Sequence, residues 1–215
     1  IEPIQSEFSG ITQDGSRANF KPIKNISEIE ERLSERKAYG FGGVAEYGIT
    51  VRWNKNYLTI LRLMLERREN FKMYGGIRFG STINYKSAKE LGFNHVALAI
   101  GAGKPNIPDI PNILCKGARS ASDFLMTLQT LGTSRKNSIA NLQIRLPIVV
   151  IGGGLTSIDT ATESLAYYPI MVEKFLIQYE KLGDVFLKTL DEEELEVALE
   201  FIKHAKELRV NPKEK

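Results

Sequence analysis

Hydrophobic residues recur along this chain in two rhythms. From Lys55 to Tyr74, Leu58, Ile60, Leu61, Met64 and Leu65 return every three or four residues. That spacing predicts a long helix with a wide apolar face, closed by Gly75-Gly76. Ser27 followed by Glu30 is a capping-box signature, predicting a helix over 26–39 that Gly40, Gly42 and Gly43 end. Shorter helical patterns cover 86–91, stopped by Gly92, and 120–131. Another runs over 157–167, punctuated by Pro169. Residues 170–207 are helical and highly charged, with a break at Gly183-Asp184. The second rhythm belongs to strands. Ile77–Ile83 alternates, His95–Ile100 is a continuous apolar run of the kind buried in parallel sheets, and Ile148–Ile151 is a run of Ile and Val. Residues 1–25, the Pro-rich 104–113 and the polar 132–146 read as connections. Strands alternating with helices predict an α/β class with a parallel core.

Composition narrows the classes. Of 215 residues, 42% are hydrophobic and 26% charged, values of an ordinary globular chain. The net charge of +3 is small and its Lys and Arg are dispersed among acids, which argues against a nucleic-acid partner. No apolar run reaches the roughly 18–20 residues of a membrane span. The single cysteine, Cys115, cannot form an internal disulfide. A reducing, cytoplasmic compartment is expected, and Cys115 reads as structural. The chain opens Ile-Glu-Pro-Ile-Gln without Met or a signal pattern, as a trimmed chain or a piece of a longer one would.

Three glycine motifs carry candidate chemistry. Gly152-Gly153-Gly154-Leu-Thr156-Ser157 fits G-x-G-x-x-[G/A] between an Ile/Val run and a helix. Gly152 permits a tight turn, Gly154 lets the backbone approach a pyrophosphate, and a small Ser157 lets helix and strand pack closely. The helix N-terminus then presents N–H groups to phosphate. The alternative is a purely structural turn. Asp159, in the expected first helical turn, suits the helix dipole. Glu173 and Glu180 match the ribose-binding acid only by distance along the chain. Ala99-Ile-Gly101-Ala-Gly103 ends the second apolar run and suits either a cofactor contact or a turn. Gly42-Gly43-Val44-Ala-Glu-Tyr-Gly48-Ile follows a helix and, taken alone, reads as a C-cap. His95 and His204 have no Cys, His or Asp set at metal spacing, and no nucleophile–base arrangement stands out, so neither a metal nor a catalytic acid–base residue is assigned.

Taken in order, these blocks resemble one family. Gly42-Gly-Val-Ala-Glu-Tyr-Gly-Ile with Arg52 and Lys55, Gly75-Gly-Ile-Arg-Phe, Asn94-His-Val-Ala-Leu-Ala-Ile-Gly-Ala-Gly, Gly117-Ala-x-Ser-Ala-x-Asp-Phe-Leu and Val149-Val-Ile-Gly-Gly-Gly-x-Thr-x-x-Asp159 are similar to the glutamate synthase small-subunit group. That group belongs to the two-dinucleotide-binding flavoproteins, with adrenodoxin reductase and the N-terminal half of dihydropyrimidine dehydrogenase. The likeness covers about residues 40–166. It implies a partial Rossmann-like fold, a three-layer parallel sheet with helices. Residues 1–145 would be a partial FAD domain and crossover, and 146–215 the start of an NAD(P)H domain with a helical extension. Gly42, Gly43, Val44, Gly48, Gly101 and Gly103 would then lie near FAD. Gly152, Gly153, Gly154, Thr156, Ser157 and Asp159 would hold NADP(H). The chain departs from the group at Thr50, where the group has proline. The first FAD fingerprint would precede Ile1, and no second nucleotide-domain strand is visible.

The implied activity is hydride transfer from NAD(P)H to flavin in a longer parent, with an iron-sulfur or glutamate-synthase-like subunit or domain as electron acceptor. The cofactor supplies the chemistry and the protein orients it. The isolated fragment is expected to be inactive. The alternative is a non-catalytic nucleotide-binding or subunit-interaction module, with 167–215 as the partner surface.

Overall fold

A computed structural model describes residues 6–12, 14–29, 56–100, 104–135 and 137–211. The described residues are helical: α1 Ser6–Ser9, a 3₁₀ turn Ile26–Glu28, α2 Asn56–Glu66, α3 Tyr85–Glu90, α4 Ala121–Thr130, α5 Leu155–Leu182, α6 Asp184–Leu187 and α7 Glu192–Val210. Among them there is no β-strand, only isolated bridges at Ile11–Arg17 and Phe79–Ile83. This corrects the expected α/β, Rossmann-like three-layer sheet. The runs 95–100 and 148–151 lie outside any regular element and belong to no ladder. Leu98, Ile100, Val149 and Ile151 are exposed instead of buried. An apolar run supplies the side chains of a strand but not its pairing partner, and periodicity cannot reveal whether one exists.

Two apolar clusters organise the rest. The larger joins α4 (Phe124, Leu125, Leu128), Leu142, α5 (Tyr167, Tyr168, Met171, Val172, Leu176) and α7 (Phe201, Ile202, Ala205). Edge-to-face ring contacts of Tyr168 and Phe175 with Phe201, at 6.1 and 5.8 Å, fix the crossing of α5 and α7. α7 begins at a capping box: Asp191 Oδ1 accepts from Glu194 N at 2.8 Å, and Asp191 N donates to Glu194 Oε2 at 3.2 Å. Acids in its first turn and Arg209 in its last suit its dipole. Lys174 Nζ pins the loop after α4, donating to the carbonyls of Thr133, Arg135 and Ser138 at 3.0, 3.2 and 3.3 Å.

The smaller cluster joins Phe8, Ile29 and Leu63. Arginines hold it. Arg17 donates to the carbonyls of Glu66 at 2.7 Å and Arg68 at 2.9 Å, capping the C-terminal end of α2. Arg67 donates to Phe8 O at 2.9 Å and Lys21 O at 3.2 Å, its guanidinium 4.2 Å from the Phe20 ring centroid. These contacts end α2 at Glu66, well before the expected Gly75-Gly76 stop. The capping box predicted from Ser27 and Glu30 instead uses Asn25 and Glu28, because Glu28 Oε1 takes the N–H groups of Lys24 and Asn25, both at 2.8 Å.

α5 also departs from expectation. It begins at Leu155, two residues before the predicted start, and runs 28 residues through Pro169. A proline inside a helix removes one hydrogen bond and costs about 3 kcal/mol. Burial of Tyr167, Tyr168, Met171 and Val172 on either side of it offsets that cost.

Candidate functional site

The site assembled from these elements is the glycine turn and the first half of α5. Gly152 has φ +140°, and a Cβ there would collide with Ser157 Oγ. The backbone there therefore favours glycine, and Ser157 Oγ stands where a Cβ would project; the helix–strand packing expected of a small Ser157 has no strand to act on. Gly153 and Gly154 are exposed, with open space where a Cβ would project. Gly154 is the N-cap, with no side-chain cap and no acid in the first turn. Ser157 N and Ile158 N both point to Gly154 O, at 3.0 and 3.2 Å. Thr156 is exposed. A helix start of this kind presents backbone N–H groups and a partial positive charge outward.

Asp159 does not join that surface. It is the fifth residue of the helix and is buried, because α5 starts earlier than the periodicity indicated. Gly42, Gly43, Val44, Gly48, Gly101 and Gly103 lie outside the described residues. Of the twelve predicted site residues, the structure thus brings together Gly152, Gly153, Gly154, Thr156 and Ser157. Glu173 and Glu180, the distance-matched acids, both pair with Arg209, at 2.9 and 2.5 Å. Cys115, expected to be structural, is free and exposed.

The sequence motifs gave no hint of how α5 is faced. Its first half buries Asp159, Thr160, Glu163 and Ser164 and exposes Leu155, Ile158 and Leu165. Hydroxyls are satisfied by the helix itself: Thr160 Oγ1 donates to Thr156 O at 2.7 Å, and Ser164 Oγ to Thr160 O at 2.6 Å. Positions 155, 158, 162, 165, 169, 172, 176 and 179 form one seam at alternating three- and four-residue spacing. In the second half, Val172 and Leu176 of that seam are fully buried in the core. In the first half its apolar members are more than half exposed. The repeating spacing was the signal available in the sequence, obscured by Pro169 and Thr162.

No group of three or more His, Cys, Asp or Glu residues placed to hold a metal occurs among the described residues. None of their helices is long and apolar enough to cross a membrane.

The chain is 56% identical over 186 residues to the uncharacterized protein RP006 of Rickettsia prowazekii (strain Madrid E). Those residues are 86% of this chain and 26% of the relative, so the chain spans about a quarter of the length of the curated relative it matches. No family model matches, and no solved structure matches. The likeness to the glutamate synthase small-subunit flavoproteins is overturned. The described residues form helices without the sheet that fold requires, and the similar protein carries no such name. The Rossmann and flavoprotein designations lose their basis with it.

Proposed function

We propose that this chain is an interaction module of a longer polypeptide, docking through the outer face of the first half of α5. The half-covered seam carries this reading. The same line of residues that packs in the core from Val172 onward continues uncovered to Leu155, and Val149 and Ile151, just before it in the chain, are exposed as well. A row of exposed large apolar side chains along one helix seam fits a protein contact. The occupant is an apolar segment of the remaining polypeptide; the relative of nearly four times the matched length supports this source. The cytoplasmic location expected from a single cysteine belongs to the same proposal.

Hydrogen exchange tests it. In the full-length protein, backbone amides of 148–166 are expected to exchange more slowly than in the 215-residue chain alone, and cross-links from this stretch are expected to reach residues beyond the chain. Equal exchange in both, with no such cross-link, overturns the proposal. Exchanging Ile158 and Leu165 for serine is expected to remove the extra protection while leaving the isolated chain folded.

The open glycine turn favours a second reading, a non-catalytic module that takes a phosphate-bearing nucleotide at the start of α5. The uncapped Gly154 and the unobstructed Gly153 support it. Calorimetry with NADPH, NADH and FAD is expected to give binding that Gly153→Asp abolishes; no heat with any of the three overturns this reading.

A further inference from the structure

The uncovered seam of α5 is narrow. Its members Leu155, Ile158, Thr162 and Leu165 are exposed, at spacings of three, four and three residues. Residues 155–166 hold no other large apolar side chain. Beside the seam stand Ala161 and Ala166, both half-buried, and the buried Asp159. From Ile148 to Val172 the charged residues are Asp159 and Glu163, and both are buried. The outer face therefore presents one apolar row and no charge.

A stripe one row wide, at alternating three- and four-residue spacing, has the form of a coiled-coil seam and lacks the breadth of a face that lies on a sheet. Each side chain of such a seam enters a hole between four side chains of a facing helix, whose period matches its own. Alanines at the flanks let a facing backbone approach to about 8 Å, the near end of the helix–helix range. Inside the chain the same seam is already covered by helices: Val172 and Leu176 are buried in a cluster with α4 and α7. An uncharged face suits an uncharged partner, since a charge set against it would lose water and gain no counter-charge. Size points to the source. The stretch 155–165 is about 15 Å long, three helical turns. Association between separate chains takes about 20–30 residues a side, far more than one short seam supplies. A helix tethered on the same polypeptide needs less, because the tether keeps its effective concentration high, and the chain spans 26% of the relative it matches.

We propose that a helix of the remaining polypeptide lies along α5 over 155–165, its axis close to that of α5. It carries large apolar residues of its own at three- and four-residue spacing, with no charge on that stripe. This rests on the docking of α5 proposed for the chain as a whole and adds the shape and chemistry of the occupant.

Photo-cross-linking of the full-length protein tests it, with benzoylphenylalanine replacing Ile158 or Leu165, one at a time. Both side chains are exposed, so the replacements leave the fold intact. The two positions lie about 10 Å apart along α5. On a facing helix the two cross-linked sites are expected about seven residues apart, against about three on a facing strand. The mapped stretch is expected to show large apolar residues every three or four positions, with no Lys, Arg, Asp or Glu among them. A separation outside about six to eight residues, or a charged stripe, overturns the helix and leaves the docking face standing. Cross-links confined to residues 1–215, with mixed heavy- and light-isotope protein telling a second copy from the same one, overturn the remaining polypeptide as the source. No cross-link from either position overturns the docking itself, and the helix with it.

Discussion

The two halves of α5 are one helix with opposite facing. From Tyr167 onward it follows the ordinary rule: Tyr167, Tyr168, Met171, Val172 and Leu176 are buried, and α4 and α7 cover them. From Leu155 to Ala166 the rule inverts, with two carboxylates and two hydroxyls inside and three large aliphatic side chains outside. The difference teaches where each half looks for partners. The second half is completed within the chain. The first half is tolerable alone because its hydroxyls bond to its own carbonyls, but its apolar seam is not completed by any described element.

The largest expected effect breaks the comparison if it fails. Leu176→Ala, at a fully buried seam position, is expected to destabilise the chain by about 2–5 kcal/mol. Leu165→Ala, on the same seam but exposed, is expected to change stability by no more than about 0.5 kcal/mol. Denaturant titration compares them directly. Equal losses would mean that the first half is packed after all.

A smaller effect sharpens how the halves satisfy polar groups. Lys174→Met leaves three carbonyls of the 133–138 loop without their shared cation and is expected to cost about 1–3 kcal/mol. Ser164→Ala, whose hydroxyl bonds only to its own helix, is expected to lie within about 1 kcal/mol of neutral, since alanine favours the helix that the hydroxyl bends. Thermal unfolding of both variants checks the order.

The smallest effect lies at the surface of the second half. Arg209 holds the Glu180 carboxyl below the usual 4.5. For an acid depressed in the folded state, the contribution is fully present above the unfolded value and lost as pH falls through the folded one. Arg209→Ala is therefore expected to produce a slight loss near neutral pH that vanishes on acidification and in about 1 M salt. A loss that survives high salt would show that Arg209 acts by packing rather than by charge.

The sequence alone was informative wherever structure is local. The spacing over 120–131 located α4 to within a residue at either end, and Gly92 marked the stop of α3. Gly152 was legible as the residue that permits a turn, because a turn's backbone is set by adjacent residues. Pro169 misled, since a proline's local penalty is visible in sequence and the tertiary burial that offsets it is not. The apolar runs at 95–100 and 148–151 misled more deeply. They carried the composition of a strand entering a nucleotide-binding turn, but a strand exists only through pairing.

What the sequence determined by itself is therefore the places of α3 and α4 and a glycine that permits a turn at 152, all consequences of residues within a few positions of one another. Only the tertiary structure decided which face of α5 is buried, that Arg17 and Arg67 end α2, and that Tyr168 meets His204. Each of those depends on groups brought together from distant positions, where packing and charge, not periodicity, set the outcome.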